Sequence, residues 1–235
     1  MSAATSLAEA GADVKTMFNR VARRYDAANR IMSAGIDVVW RKKAITRLLD
    51  GLGEAPRILD LGAGTLDGAL EVARRAPGAR VAAADFAAEM LRAGRKKLPP
   101  GAAIDTHAAD GHHLPYGRGA FDGAFSAFCV RNLRDLRQGL AELRRVVRPG
   151  GRVVILEFLR PEKRRFFFDL YNNHVLPLVG WAVTGDRAAY RYLPDSIAAF
   201  RSPEEFVALL REVGFDEATA TPLFPSGVAS LVVAS

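Results

Sequence analysis

Three places in the chain set carboxylates and glycines where a polyhydroxyl ligand could meet them. In Arg57-Ile-Leu-Asp-Leu-Gly-Ala-Gly-Thr-Leu-Asp67 the apolar run of Ile58, Leu59 and Leu61 is broken by Gly62 and Gly64; Val81-Ala-Ala-Ala84 ends on Asp85; Ile104 to Ala109 runs into Asp110-Gly111. Glycine lets a ligand approach the backbone and takes positive φ without strain. A carboxylate accepts two hydroxyl donors, and Asp85 follows Asp60 at about the interval at which an acidic residue meets a ribose in nucleotide-binding βαβ units. A nucleoside is the ligand class these spacings imply. Asp67 stands where a dinucleotide fingerprint has its third glycine, which disfavours NAD. Each feature also has a plainer reading: a ligand-free tight turn for the glycines, a helix N-cap for Asp85 and a turn residue for Asp110.

Such residues need a sheet to position them. Strands are predicted near 57–61, 80–84, 103–107, 121–126 and 152–157 with helices between most of them, an alternation that argues for an α/β fold: a mostly parallel sheet with helices on both faces. A helix from about Asp135 to Val147 is expected to be stopped by Arg148-Pro149-Gly150-Gly151. Ser202-Pro203-Glu204-Glu205 is a capping box that starts a helix through Val213, and Phe215 to Leu223 and Val228 to Ala234 form a C-terminal antiparallel strand pair. Ahead of the sheet, Asp13 caps a helix with Val14, Met17, Phe18, Val21 and Tyr25 on one face, Asn29 to Gly35 is predicted to turn, and a second helix begins near Asp37. The domain plan is a flexible 1–12 and one domain over 13–235, with cap helices at 13–50, a cofactor-binding core at 57–157, a lid at 161–200 and a closing helix and strand pair at 202–235. The apolar segment from Phe166 to Val183 suits either a lid over an apolar substrate or a core helix pair joined at Pro177.

With 235 residues and 49% hydrophobic content the chain can bury one sizeable core. No apolar run approaches the ~20 residues of a membrane span, and the first residues lack the basic and apolar regions of a signal peptide, so a cytoplasmic location is expected. Cys129 stands alone, which excludes an internal disulfide. His107, His112, His113 and His174 show no zinc spacing with it, and no metal is expected. The net charge of +7 leaves nucleic acid or an anionic membrane surface open as partners. Arg134, Arg137, Arg144, Arg145 and Arg148 alternate with Leu133, Leu136, Leu140, Leu143 and Val147 as on a solvated helix face; with no recognition module visible, nucleic acid is not expected.

Further motifs agree with one another. Phe18-x-x-x-Ala22-x-x-Tyr25-Asp26-x-x-Asn29, Leu114-Pro115, Phe121-Asp122, Arg131-Asn132, Arg148-Pro149-Gly150-Gly151, Leu156-Glu157-Phe158, Tyr190-Arg191-Tyr192-Leu193 and Gly214-Phe215 follow in order. Together they resemble the ubiquinone/menaquinone biosynthesis C-methyltransferase family, within the Rossmann-like class I methyltransferases, from about Val14 to Val233. The Pro-Gly-Gly and Phe-Asp elements are common across that class; Tyr25-Asp26-x-x-Asn29, Arg131-Asn132 and Tyr190-Arg191-Tyr192-Leu193 are more particular.

The resemblance implies S-adenosylmethionine as cofactor and methyl transfer to a ring carbon of a demethylated polyprenyl quinol. By family match, Gly62, Gly64 and Thr65 line the methionine side, Asp85 takes the ribose hydroxyls and Asp110 the adenine amine, with Asp60, Phe86, Gly111 and Tyr25 completing the cofactor set. Arg131, Asn132, His174 and Tyr190 are candidates for the quinol oxygens, where deprotonation or strong hydrogen bonding pushes electron density onto the adjacent carbon. A tail that partitions into lipid implies transient contact with a membrane surface and a peripheral location; a homodimer is compatible with the pattern. Two alternatives stay open: another small aromatic or lipid acceptor, and a catalytically silent binding protein of the same fold. The family usually reads Gly-Gly-Thr-Gly-Asp where this chain has Ala63-Gly64-Thr65-Leu66-Asp67. Leucine adds bulk and resists positive φ, so Leu66 is left to narrow the site, to weaken cofactor binding or to pack outward.

Overall fold

The computed structural model describes residues 25–161, 187–225 and 227–235, together with residues 16 and 19. Two helices, α1 (Tyr25–Ser33) and α2 (Ile36–Leu49), precede an alternating core of β1 (Arg57–Leu61), α3 (Asp67–Arg75), β2 (Arg80–Asp85), α4 (Ala88–Arg95), β3 (Ile104–Ala108) and β4 (Phe121–Ala127). A 3-10 turn at Val130–Asn132 leads to α5 (Leu136–Val146) and β5 (Val147–Phe158). Then come α6 (Arg187–Ala198), α7 (Pro203–Glu212), β6 (Ala218–Pro222) and β7 (Ala229–Ala234).

The sheet order is β3-β2-β1-β4-β5-β7-β6. Its first five strands are parallel, and β7 runs antiparallel to both β5 and β6. Period-two alternation feeds two cores. Leu59, Val153 and Ile155 pack with Leu140 and Leu143 of α5 and Phe206 and Leu210 of α7, whereas Ile58, Val154 and Leu156 pack with Ile45 and Leu48 of α2 and Val72 of α3. Chain order reverses between β1 and β4, which is where open sheets of this kind leave a crevice.

The predicted sheet, its closing antiparallel pair and the capping box are all present; Ser202 Oγ accepts from the Glu205 amide and Glu205 returns the bond to the Ser202 amide. Two expectations are corrected. The segment read as a turn from Asn29 to Gly35 is helical through Ser33, and the reversal occupies only Ala34 and Gly35, both at positive φ. The second concerns Pro149-Gly150-Gly151, which lie within β5 and not in a turn ahead of it. The chain is already extended at Val147 (ψ 134°), and the Pro-Gly-Gly stretch is an irregular start to β5 that shifts its register against β4 between Phe121 and Gly123. A proline biases the residues before it toward extended backbone, so the break comes early. The N-terminal helix from Asp13 is described only at Thr16 and Asn19, both helical; most of the lid expected at 161–200, with the Phe166 to Val183 segment, lies outside the described residues.

Candidate active site

A cavity of about 350 Å³ opens at the carboxyl ends of β1 to β4. That is within the size range of small-molecule sites, about 300–1,000 Å³. Leu61 and Gly62 come from the end of β1, Asp85 and Phe86 from β2, Ala108 to His112 from β3, and Cys129 and Asn132 to Arg134 from the turn after β4.

The glycine loop is fixed by backbone and by Asp85. Gly62 donates to the Ala84 carbonyl at 2.7 Å, at φ +71°, and a Cβ there would fall 2.2 Å from Cys129 Sγ, so no other residue fits. Asp85 Oδ2 accepts from Gly64 N–H at 2.8 Å and its Oδ1 from Ala87 N–H at 2.7 Å. Burial raises the Asp85 carboxyl, and these two amides oppose the shift. Each oxygen retains acceptor capacity for a further donor. Burial also pushes the Cys129 thiol up, with Asp85 and Glu157 adding to it, so Cys129 serves as packing against Gly62 rather than as a nucleophile.

Asp110 forms a turn onto its own chain: Oδ1 accepts from the His112 amide at 2.9 Å and meets His112 Nδ1 at 2.5 Å, and Arg134 Nη2 lies 3.8 Å from Oδ2. Burial works against ionisation, but the His112 bonds and Arg134 outweigh it and hold the carboxyl below its usual range. His112 Nε2 accepts from the Asp135 amide at 3.1 Å, so its proton sits on Nδ1 and is donated to Asp110. His112 was missed by spacing alone. Its signal was the Asp-x-polar turn, in which an Asp side chain bonds the amide two residues on.

Asp60 does not line the cavity. It is 2% exposed on the α3 side of β1, its Oδ2 has no hydrogen-bond partner, and the Ala69 N–H in the first turn of α3 bonds the carboxyl. Leu66, the N-cap of α3, offers no side-chain acceptor, so Asp60 caps that helix from the neighbouring strand. Burial lifts the carboxyl to about 7 against the Ala69 and Arg41 contributions. The folded value lies above the unfolded one, so the stability this group contributes is full below about pH 4 and is lost as pH rises through about 7. Urea unfolding should show a loss of roughly 2–3 kcal/mol between about pH 5 and about pH 8, and Asp60→Asn, which keeps an acceptor for Ala69, should flatten that slope. An unchanged slope in the variant would assign the dependence elsewhere.

Thr65 donates to Asp26 Oδ1 instead of facing the cavity. Lys97 Nζ bridges Asp26 (2.8 Å) and Asp67 (2.6 Å), Arg30 reaches Asp67 at 3.3 Å, and Asn19 Oδ1 accepts from the Glu89 amide at the uncapped start of α4. The segments before the sheet are thus tied to the glycine loop, and Asp26, which the sequence offered only as part of a motif, is the residue that makes the tie. Tyr25 lies in α1 and Tyr190 in α6; His174 falls outside the described residues.

Arg131 is not on the cavity wall. Its Nη1 pairs with the fully buried Glu157, and its Nε donates to Ser196 Oγ of α6 at 2.9 Å. Glu157 also accepts the amides of Arg131 (3.2 Å) and Phe158 (2.8 Å). Burial raises this carboxyl and Arg131 opposes the rise. Arg131 therefore locks the 3-10 turn to β5 and α6, and its neighbour Asn132 is the one that reaches the cavity.

Leu66 takes the left-handed conformation at φ 69° and ψ 16°, yet its side chain is fully buried in the α2–α3 core, close against Gly94 of α4 and off the cavity wall. It neither narrows the site nor disturbs Asp85.

The cavity thus offers the Gly62 backbone and two strand-end carboxylates, which fit the amino-acid and nucleoside ends of S-adenosylmethionine. Residues 5–234 match the model of the ubiE/COQ5 methyltransferase family. The chain belongs to that family. It is 43% identical to a demethylmenaquinone methyltransferase from Thermus thermophilus, across 92% of this chain and 98% of the relative. It is 40% identical to a ubiquinone/menaquinone biosynthesis C-methyltransferase UbiE from Geobacter sulfurreducens, across 89% and 83%. Solved methyltransferases share the fold at lower identity: a SAM-dependent methyltransferase from Thermotoga maritima (TM-score 0.64, 18% identity, 94% of this chain and 98% of that one) and a phosphoethanolamine N-methyltransferase from Haemonchus contortus (TM-score 0.61, 18%, 78% and 38%). As a ubiE/COQ5 family member the chain is an S-adenosylmethionine-dependent methyltransferase. Among the described residues no helix is long and apolar enough to cross a membrane, and no three metal-ligating side chains converge.

Proposed function

We propose that this methyltransferase alkylates a ring carbon of a demethylated polyprenyl quinol. The observation that carries the proposal is near-full-length likeness to relatives named for that chemistry, joined to a cavity whose Gly62 and Asp85 suit the cofactor. Asp85 would hold the ribose hydroxyls on the acceptor capacity its two amide bonds leave. Asp110 would take the adenine amine on Oδ2, because Oδ1 already carries both His112 bonds. When bound, the sulfonium supplies the electrophilic methyl group. Leu61, Phe86 and Leu133 would pack around the nucleoside and keep water from it. Asn132 would accept a hydrogen bond from a quinol hydroxyl at Oδ1, which polarises the O–H bond and raises electron density on the adjacent carbon. Arg131 would act by holding that turn, and His174 and Tyr190 stand as candidates for the second quinol oxygen on the resemblance. The polyprenyl tail brings turnover to a membrane surface, and light scattering would reveal a homodimer.

The test is calorimetric titration with S-adenosylmethionine and S-adenosylhomocysteine, then an assay with short-chain demethylated naphthoquinol and benzoquinol read by mass. Binding near one equivalent with a carbon-methylated quinone is the expected result. Cofactor binding without quinol methylation would pass the reaction to another aromatic or lipid acceptor.

A further inference from the structure

Three large apolar side chains are exposed among the described residues: Ile31 (58%), Val39 (64%) and Phe224 (90%). Ile31 and Val39 lie on successive helices, and Phe224, distant in sequence, is held beside the second of them. Ile31 and Val39 flank the Ala34-Gly35 reversal between α1 and α2, and the Trp40 indole N–H donates to the Phe224 carbonyl at 2.8 Å, fixing the β6–β7 loop beside α2. Because Phe158 pairs with Ala229 across antiparallel β5 and β7, that loop lies at the carboxyl end of β5, on the cavity edge of the sheet. Rings continue inward from the corner: Trp40 packs edge-on to Phe158 at 6.3 Å, and Phe158 stacks on Phe128 at 4.8 Å, one residue before Cys129 of the cavity wall.

We infer that this corner, with Phe224 and Val39 as its apolar tips, is where the protein seats on an anionic lipid bilayer. Charge selects that occupant. Lys42 and Lys43 follow Val39 by three and four positions and so share its exposed helix face. Asp37, the acidic residue on this turn of α2, is buried and bonded to Ser33 and Arg41. Apolar tips with lysines beside them are the composition of interfacial membrane contacts. A second copy of the same corner would bring lysines against lysines, which disfavours a self-paired interface. The inference rests on the polyprenyl quinol reading for its biological sense: it sets the aromatic row between the bilayer and the cavity, the path an apolar tail would need.

The experiment is co-sedimentation of the full chain with phosphatidylcholine vesicles, with and without phosphatidylglycerol. The wild type should bind the anionic vesicles and release with salt. Phe224→Ser should weaken binding roughly tenfold, from the loss of one buried aromatic side chain. Lys42→Glu with Lys43→Glu should weaken it further, by roughly fivefold or more for each lysine. Phe224 is nearly fully exposed, so its variant should fold, and circular dichroism checks this. Absence of wild-type binding, or binding unchanged in both variants, overturns the proposal. So does a wild-type dimer that Phe224→Ser converts to monomer, which would give the corner to a second copy. Turnover of a short-chain, water-soluble quinol should be the same in wild type and Phe224→Ser. If no quinol is methylated yet vesicle binding depends on Phe224, the acceptor reading fails and the docking surface stands; if quinol turns over and vesicles do not bind, the reverse holds.

Discussion

Asp85→Ala is expected to raise the dissociation constant for S-adenosylmethionine at least roughly a hundredfold, because two hydrogen bonds to a charged acceptor are each worth about 1.5–3 kcal/mol. The structure gives Asp85 a second duty, since it bonds the amides of Gly64 and Ala87. Leaving one buried and one part-buried donor unpaired should cost about 2–4 kcal/mol of stability as well. Asp85→Asn keeps an acceptor for one amide and should fall between. Calorimetry and urea unfolding on the same preparations separate the effects: affinity unchanged in a destabilised variant would remove the ribose role and leave Asp85 as a loop anchor.

Arg131→Ala should destabilise the protein by about 3–5 kcal/mol at neutral pH, since it strands the buried Glu157 carboxylate. Glu157 is already raised by burial and would rise further without its partner, so the deficit should shrink toward acid, where the carboxyl takes a proton. Turnover should fall more than cofactor affinity. The double variant Arg131→Met with Glu157→Leu separates positioning from chemistry. Stability should return in part, because the stranded charge is gone while the Arg131 and Phe158 amides lose their acceptor, and turnover should recover with it if Arg131 only holds the 3-10 turn. A stable double variant with depressed turnover would place the guanidinium at the acceptor.

Periodicity made the sheet legible, because apolar runs such as Val153 to Leu156 carry their own strand signal and Asp85 and Asp110 stand where those runs stop. What sequence could not show were the pairings made across the fold. Arg131 and Glu157 are far apart in the chain, and only the meeting of β5 with the 3-10 turn turns a candidate catalytic cation into half of a buried pair. Asp26 and Thr65 are likewise joined only once α1 packs over the glycine loop. Asp60 sits inside the most recognisable stretch of the chain, yet alternation along β1 points it at α3 and away from the cavity. The Asn29 to Gly35 turn was misplaced because its asparagine and serine read as punctuation, while the reversal itself needed only two residues at positive φ.

Leu66 also bears on how such a chain can change. Its left-handed backbone costs on the order of 1–2 kcal/mol, which argues for a return to glycine. But its side chain now fills space beneath the loop, and emptying a buried leucine site costs about 2–5 kcal/mol even when alanine is left behind. Reversion is therefore uphill unless neighbours grow into the gap first, and Gly94 is seated so close to Leu66 and to the Thr65 backbone that it has no room to do so. The departure from the family pattern is held in place by packing: the buried side chain offsets the strain of its own backbone.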